Sequence, residues 1–306
     1  AAIKPEKISA YSVGFQIAPR INAAGRIDHA DLSFYLLTET DRSKLKEAAE
    51  KINLANQKRQ AVLEKALQKA EKIVKKEGLA KKKLILLADE EWGEGIIGLV
   101  AAGIMERYNR PTIVLSMKDK IAKGSGRSLD FFHLEKALEK CRQFLISFGG
   151  HKKAAGLRLE TKNIQPFYQY ILKIADREIK DSDLLPKINI DVELELAEIT
   201  PSLYGQLKKL EPFGMGNPRP VFVTHGAEIL NCRAVGREEK HLKLQLSNHQ
   251  KKVYADLVDC VGFDLGGWST RLRRGDQIDL VYTIDRDDWG GQEKLQLKIL
   301  DLRPSL

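Results

Sequence analysis

Residues 84–116 read LILLADEEWGEGIIGLVAAGIMERYNRPTIVLS, and the order of elements they imply decides the fold. Leu84 to Ala88 is a continuous apolar run of strand length, as expected for a strand buried on both faces. Gly95 to Tyr108 is apolar and long enough for a helix, and Pro111 to Ser116 is a second buried strand. Downstream, Ile121 to Gly124 reads as a strand, His133 to Ser147 as a helix, Gly156 to Glu160 as a strand and Asn163 to Lys180 as a helix. Alternation of this kind predicts an α/β domain. Upstream, Leu45, Ala48, Ala49, Ile52, Ala55, Val62, Leu63, Ala66, Leu67, Ala70, Ile73 and Val74 recur at three- and four-residue steps. They predict one helix over 41–77. Asp41 or Thr40 is its N-cap, Gly78 ends it, and its length of roughly 50 Å is enough to bridge two lobes.

Asp181-Ser182-Asp183 followed by Pro186 marks a polar break, and beyond it the apolar period becomes two. Ile188, Ile190, Val192, Leu194 and Leu196 alternate with polar residues. So do Leu242, Leu244 and Leu246, then Ile278, Leu280 and Tyr282, then Leu295, Leu297 and Ile299. About five such strands with one short helix near Ser202 to Leu210 fit a small barrel such as an OB-fold, with a small β-sandwich as the rival. No internal repeat is visible.

At about 150 residues per domain, 306 residues suggest two globular units. With 43% apolar, 30% charged and 7% aromatic residues the chain has material for real cores, which excludes a disordered chain. No run approaches the ~20 apolar residues of a membrane span, and no basic-then-apolar secretory signal opens the chain. The expectation is a soluble cytoplasmic protein with no membrane partner. Cys141, Cys232 and Cys260 form no C-x-x-C pair and are expected to be buried thiols.

The net charge is +9, and its position is informative. Residues 1–40 are neutral, 41–77 carry 11 basic and 6 acidic residues, 78–186 carry 19 and 14, and 187–306 carry 17 and 18. A basic middle suits a polyanion such as nucleic acid, because each neutralised phosphate releases counterions. Solvated lysines on a long helix are the competing explanation.

Ile17-Ala18-Pro19-Arg20-Ile21-Asn22-Ala23-Ala24-Gly25-Arg26 is read as a loop able to clamp phosphate. Arginine forks match phosphate oxygens, and small residues let backbone come close. On residue types alone, a helix start with surface arginines is the favoured reading. Lys123-Gly124-Ser125-Gly126-Arg127-Ser128 is read as a glycine-rich turn whose exposed amides, hydroxyls and guanidinium cradle an anion. In Phe148-Gly149-Gly150-His151-Lys152-Lys153-Ala154-Ala155-Gly156 the paired glycines allow backbone to approach a phosphate, His151 can donate to it, and Lys152 and Lys153 attract the strand. Asp28-His29-Ala30-Asp31 holds metal-ligand residue types, yet four neighbours on a helix cannot all face one ion, and the string reads as an N-cap with surface charge.

A two-metal hydrolase needs several carboxylates and histidines converging on ions about 4 Å apart, and no cluster in the sequence supplies them. Walker A, H-E-x-x-H and G-x-S-x-G are all absent.

Taken together these strings resemble the RecJ family of single-strand-specific 5′ to 3′ exonucleases, within the DHH phosphoesterase superfamily. The resemblance covers essentially the whole chain. Ile17 to Arg26 is similar to the family's P-R-x-N-A-A-G-R segment at the end of the catalytic DHH lobe. The 41–77 helix is similar to its interlobe connector. Ser125-Gly126-Arg127-Ser128 and Gly149-Gly150-His151 with Ala154-Ala155-Gly156 are similar to two signatures of the DHH-associated lobe. Leu210-Glu211-Pro212-Phe213-Gly214-Met215-Gly216-Asn217-Pro218 resembles the segment leading into the family's OB-fold, and His241-Leu242-Lys243-Leu244 and Leu295-Gln296-Leu297-Lys298-Ile299 resemble strands within it. Two departures stand out: Trp92-Gly93-Glu94-Gly95 replaces the usual Trp-His-x-Gly, and residue 18 is Ala where Gly is common.

The resemblance implies an α/β DHH-associated domain reached by a long connector helix and followed by a β-barrel OB-fold domain. Its divisions would be 1–40, the end of the DHH lobe; 41–78, the connector; 79–185, the substrate-binding domain; and 186–306, the nucleic-acid-binding OB-fold. The upstream lobe, with the D-H-H triplet that holds Mn²⁺ or Mg²⁺ in the full-length enzyme, would be absent. Asp28-His29-Ala30 is not that triplet, since it follows the P-R-x-N-A-A-G-R segment. The chain alone is expected to bind no metal, to hold no catalytic residue, and to bind single-stranded DNA without cutting it in recombination and repair. Arg26, Ser125 and Arg127 would hold the 5′-phosphate, with Arg20, Asn22, Ser128 and Lys152 as further candidates. Gly149, Gly150 and His151 would contact phosphates near the scissile bond. Arg233, Arg237, Lys243, Tyr254, Arg271, Arg273 and Arg274 are OB candidates by residue type. Partners would be the upstream lobe and a single-strand-binding protein. The alternatives are a non-catalytic adaptor and a DHH-family RNA or nucleotide phosphodiesterase.

Overall fold

The computed structural model describes residues 8–27, 29–247, 257–287 and 294–305, and the chain divides into two compact units, Ala1–Lys187 and Ile188–Leu306. Tyr254 and Asp28 lie outside the described residues. No helix among the described residues is long and apolar enough to cross a membrane.

The first unit begins with a π-helical stretch, Ser12–Ile17, that runs into α1 (Ala18–Ile27). The segment is therefore helical, in line with the helix start favoured on residue types and not with the phosphate-clamping loop. Ala23 and Ala24 are buried, and their small size lets α1 lie close on its neighbours. In α2 (Asp31–Thr38) the N-cap is Ala30, which makes no side-chain bond, and not a carboxylate residue as expected. The long helix α3 spans Arg42–Lys76. The Asp41 carboxylate accepts from the amides of Ser43 and Lys44 at 2.8 and 3.2 Å, satisfying donors that the first turn cannot pair internally. Lys75 and Lys76 sit at the negative end of the helix dipole, and Gly78 adopts the left-handed conformation (φ 63°) that ends it.

A five-stranded sheet follows in the order β1 (Ile85–Asp89), β2 (Thr112–Lys118), β3 (Ile121–Arg127), β5 (Ala154–Glu160), β4 (Ser147–Gly150). The β1–β2 pair is parallel, as its crossover helix α4 (Glu94–Tyr108) requires, and the other pairs are antiparallel. On one face Ile85, Leu87 and Val114 pack against α4 and the second half of α3. On the other, Leu84, Ile113, Leu115, Leu157 and Leu159 pack against α5 (Leu134–Lys140) and α6 (Ile164–Glu178). Phe132 and Phe167 are completely enclosed there, each contributing about 2 kcal/mol of burial.

Two expected elements are corrected here. Strand β3 runs on through Arg127, so Gly124–Arg127 is a central strand and not a turn. A Cβ on Gly124 would come within 2.5 Å of Leu115 Cδ2, and one on Gly126 within 2.6 Å of Leu134 Cδ2, so neighbouring leucines dictate the glycines. The helix expected over His133–Ser147 stops at Lys140, turns through a 3₁₀ segment at Arg142–Phe144, and gives way to edge strand β4. Phe144 and Leu145, which extended the helical period, pack on the core from that turn.

The second unit is a closed barrel of β7 (Phe222–Val235), β8 (His241–Ser247), β9 (Val258–Gly262), β11 (Lys294–Pro304) and β10 (Gln277–Asp287), with β10 pairing back onto β7. This is the OB-fold alternative, not the sandwich. Leu242, Leu244, Leu246, Ile278, Leu280, Leu297 and Ile299 fill it, and the buried Tyr282 hydroxyl bonds Thr224 Oγ1 at 2.8 Å. Helix α7 (Pro201–Lys208) starts with Thr200 accepting from the Leu203 amide. Of the alternating stretch Ile188–Leu196, only β6 (Val192–Glu193) pairs in the sheet, and Ile188, Ile190 and Val192 are exposed. Cys141 and Cys260 are buried, while Cys232 is half-buried, contrary to the expectation for all three.

Candidate phosphate-binding groove

Helix α4 packs on β2 and β3 and helix α3 on β1, so the same face of β5 and β4 is left open. The strand period of two sets what lies there. In β3 it exposes Lys123, Ser125 and Arg127, in β5 Gly156 and Arg158, and in β4 Ser147 and Gly149. The two glycines face each other in register and leave a trough. Arg26 from α1 and Glu94 and Gly98 from the first turns of α4 close its other side, giving a groove of about 490 Å³.

Its walls are tightly fitted. A Cβ on Gly98 would sit 3.0 Å from the Arg127 guanidinium and 3.1 Å from Ser125 Oγ, and one on Gly95 would sit 2.0 Å from the Arg26 carbonyl oxygen. Arg26 Nη1 donates to the Gly95 carbonyl at 3.2 Å. Arg127 Nη1 donates to Ser125 Oγ at 3.0 Å and to the Gly126 carbonyl at 2.8 Å.

The charge is strongly unbalanced. Lys123 is neutralised by Glu94 at 2.8 Å, but among the described residues no carboxylate pairs with Arg26, Arg127 or Arg158. Burial, then the nearby Arg26 charge, holds the Arg127 guanidinium below its ordinary pKa. Three guanidinium groups without carboxylates, beside the positive end of α4, suit an anion with several oxygens.

The structure brings together Arg26, Ser125, Arg127 and Gly149 from the sequence candidates. Others lie elsewhere. Arg20 donates to Asn53 Oδ1 at 3.2 Å and to the Gln16 carbonyl at 2.5 Å, Asn22 is exposed on α1, and neither lines the groove. Ser128 is buried, its hydroxyl donating to the Phe132 carbonyl at 2.8 Å. Gly150 ends β4, and His151 and Lys152 lie in the β4–β5 turn that follows. The His151 amide donates to the Ala154 carbonyl, so it is not open to a phosphate. The expected cradle of free amides at 124–128 does not exist, because β3 pairs on both sides and the Ser128 amide bonds the Lys153 carbonyl. Sequence reasoning missed Glu94, Gly98, Lys123 as an open-face residue, Ser147 and Arg158. The alternation Lys123, Ser125, Arg127 was the available signal for a strand face.

In the barrel, Arg233 and Lys243 are cross-strand neighbours on the outside of β7 and β8. Arg273 and Arg274 line a groove of about 640 Å³ with Asn231, Cys232 and Gln245. The Arg271 guanidinium stands 5.6 Å from the Trp268 ring, and Arg237 lies on the turn before β8. Among the described residues no group of three or more His, Cys, Asp or Glu could hold a metal ion.

Residues 81–180 match the DHHA1 domain model and residues 190–301 the RecJ OB domain model. The chain is 34% identical over 292 residues to the single-stranded-DNA-specific exonuclease RecJ of Bacillus subtilis, covering 95% of this chain and 36% of that protein. The chain is similar to the DHHA1 and OB portion of RecJ. It is also 30% identical over 310 residues to Escherichia coli RecJ, covering 98% of this chain and 52% of that protein. The crystal structure of Thermus thermophilus RecJ in complex with Mn²⁺ is similar over 97% of this chain and 42% of that one, with a TM-score of 0.82 and 27% identity. The Mg²⁺ complex of the same protein gives 0.79. The chain thus spans between about a third and a half of the length of the RecJ relatives named here, and it holds their DHHA1 and OB domains.

Proposed function

We propose that this chain is the DNA-holding part of a RecJ-type single-strand-specific 5′ to 3′ exonuclease of recombination and repair. The observation that carries the reading is the row of Arg26, Arg127 and Arg158 around Ser125 on an open sheet face, none of the three paired with a carboxylate among the described residues. A terminal phosphate is a dianion with three free oxygens, and these groups offer forks and a hydroxyl in one trough. The trough floor of Gly149 and Gly156 lets the nucleotide approach the sheet. The barrel supplies a second single-strand-binding surface, with Arg233, Lys243, Arg273 and Arg274 as backbone contacts.

Phosphodiester hydrolysis is assigned to an upstream DHH lobe, as the family resemblance implies. An exposed apolar face supports such a lobe: Tyr11 and Phe15 stack at 5.0 Å in the open, with Phe34 and Leu37 exposed on α2. Faces of that kind are interaction sites. The enzyme would be cytoplasmic, with a single-strand-binding protein among its partners.

The test is release of mononucleotides from a 5′-phosphorylated single strand with Mn²⁺. The expected result is none from this chain and chelator-sensitive digestion once an upstream DHH lobe is added. Chelator-sensitive digestion by this chain alone would refute the division of labour.

A further inference from the structure

We propose that Phe263 and His241 form a platform on the outside of the barrel on which a base of a single strand stacks, while Arg233 and Lys243 hold the adjoining phosphate. The inference rests on the reading of the barrel as a single-strand-binding surface and adds to it the residues that touch bases.

Among the described residues of the second unit, Phe263 is the only Phe, Tyr or Trp left exposed, at 57% of its surface. Phe222 and Tyr282, by contrast, fill the interior. Phe263 follows directly on β9, and its ring meets that of His241, the first residue of β8, with centroids 5.3 Å apart and planes at 73°. The imidazole is held from two further sides. Its Nδ1 accepts from the Asp264 amide at 3.1 Å, which leaves the ring proton on Nε2. A Cβ on Gly236 would lie 2.7 Å from His241 Cδ2, so that glycine, at φ 84°, gives the ring its seat. A base landing on rings already fixed in place has few side chains to order.

Charge comes next along the strands. Leu242 and Leu244 point into the barrel, so His241 and Lys243 share its outer face, about 7 Å apart along β8. Lys243 pairs across with Arg233 on β7 and with Val261 on β9, and Lys298 on β11 stands beyond Val261. Lys298 is taken by Asp285, but no carboxylate among the described residues pairs with Arg233 or Lys243. Two unpaired cations one strand step from two rings suit the phosphate and the base of one nucleotide. Asp264, whose carboxylate lies 3.9 Å from His241 Nδ1, repels a phosphate from the aromatic end and leaves that end to the neutral face of a base.

The experiment is fluorescence anisotropy of the full chain with two 5′-hydroxyl strands of equal length and charge, an oligothymidylate and an abasic sugar-phosphate strand. Phe263→Ala is expected to weaken the oligothymidylate about tenfold, with its salt dependence unchanged, and to move the abasic strand by less than about twofold. Phe263→Leu, which keeps apolar bulk, is expected to show the same selective loss, and Phe263→Trp to show none. Lys243→Gln is expected to weaken both strands alike and to flatten the salt dependence. Equal loss for both strands with Phe263→Ala, or no loss for either, overturns the inference, the second result leaving the ring to a protein partner. If Lys243→Gln and Arg233→Gln both leave the two affinities unchanged, the barrel reading falls and the inference with it. If they weaken both strands while Phe263→Ala and Phe263→Leu have no effect, the inference alone falls.

Discussion

The backbone of Arg26 and the backbone of Gly95 are in direct contact: a methyl group at Gly95 would lie 2.0 Å from the Arg26 carbonyl oxygen, and Arg26 Nη1 reaches back to the Gly95 carbonyl at 3.2 Å. The last turn of α1 is thereby locked to the first turn of α4. Gly95→Ala must push the helices apart, at a cost of about 1–3 kcal/mol for overpacking. The expected outcome is a lowered thermal midpoint together with weaker binding of a 5′-phosphorylated strand. Unchanged binding would show that Arg26 does not depend on this contact.

Ser125 and Ser128 are three residues apart and have opposite expected effects. Ser125 lies on the open face beside Arg127, so Ser125→Ala lowers affinity for a phosphorylated strand with little change in melting. Ser128 is buried and bonds the Phe132 carbonyl, so Ser128→Ala leaves that acceptor unpaired, costs about 1–2 kcal/mol of stability and leaves affinity unchanged. Paired melting and titration of the two variants checks the contrast.

Among the described residues Glu94 is the one carboxylate lining the groove, and it occupies Lys123. The pair is half-exposed, and such pairs contribute at most about 1 kcal/mol to stability. Glu94→Gln is therefore expected to leave melting unchanged and to raise affinity for single strands several-fold, the gain shrinking as salt rises. Titration at two ionic strengths measures it.

Asp279 closes the barrel end with a pH-dependent clamp. Burial pushes its carboxyl up, but bonds from Ser305, Arg303, the Gly226 amide and His225 overcome that and hold it at about 2. The folded value is depressed, so the stabilisation is fully present above the unfolded carboxyl value near 4 and is lost as pH falls through about 2. Asp279→Asn is expected to lower the melting point of the barrel at neutral pH, with the gap from wild type closing on acidification. A pH series of thermal melts of both proteins checks this.

The legible parts of the sequence were those in which local chemistry and global packing agree. Asp41 and Gly78 bracket α3 because capping and left-handed backbone are local requirements. The strand-helix-strand at 84–116 was readable because both of its strands are buried on both faces. The glycines at 124 and 126 were not, since glycine ordinarily means a turn and here answers to Leu115, Leu157 and Leu134 from distant segments. Strand β7 escaped notice because Gly226 takes φ 64° and the pairing shifts between Ile229 and Asn231, which breaks the alternation. Alternation at 188–192 misled in the other direction, as those side chains find no core. Arg26, Ser125 and Arg127 were named as candidates from residue types and resemblance, while Arg158 and Lys123 become neighbours only through the β3–β5 register.

The central claim is that the open sheet face holds a terminal phosphate. The most direct measurement is fluorescence anisotropy of this chain with two single strands of one sequence, one 5′-phosphorylated and one 5′-hydroxyl, for wild type and Arg127→Gln. The account predicts tighter binding of the phosphorylated strand, by about tenfold, and loss of that preference in the variant. Equal affinity for the two strands in the wild type, or a preference untouched by Arg127→Gln, would contradict it.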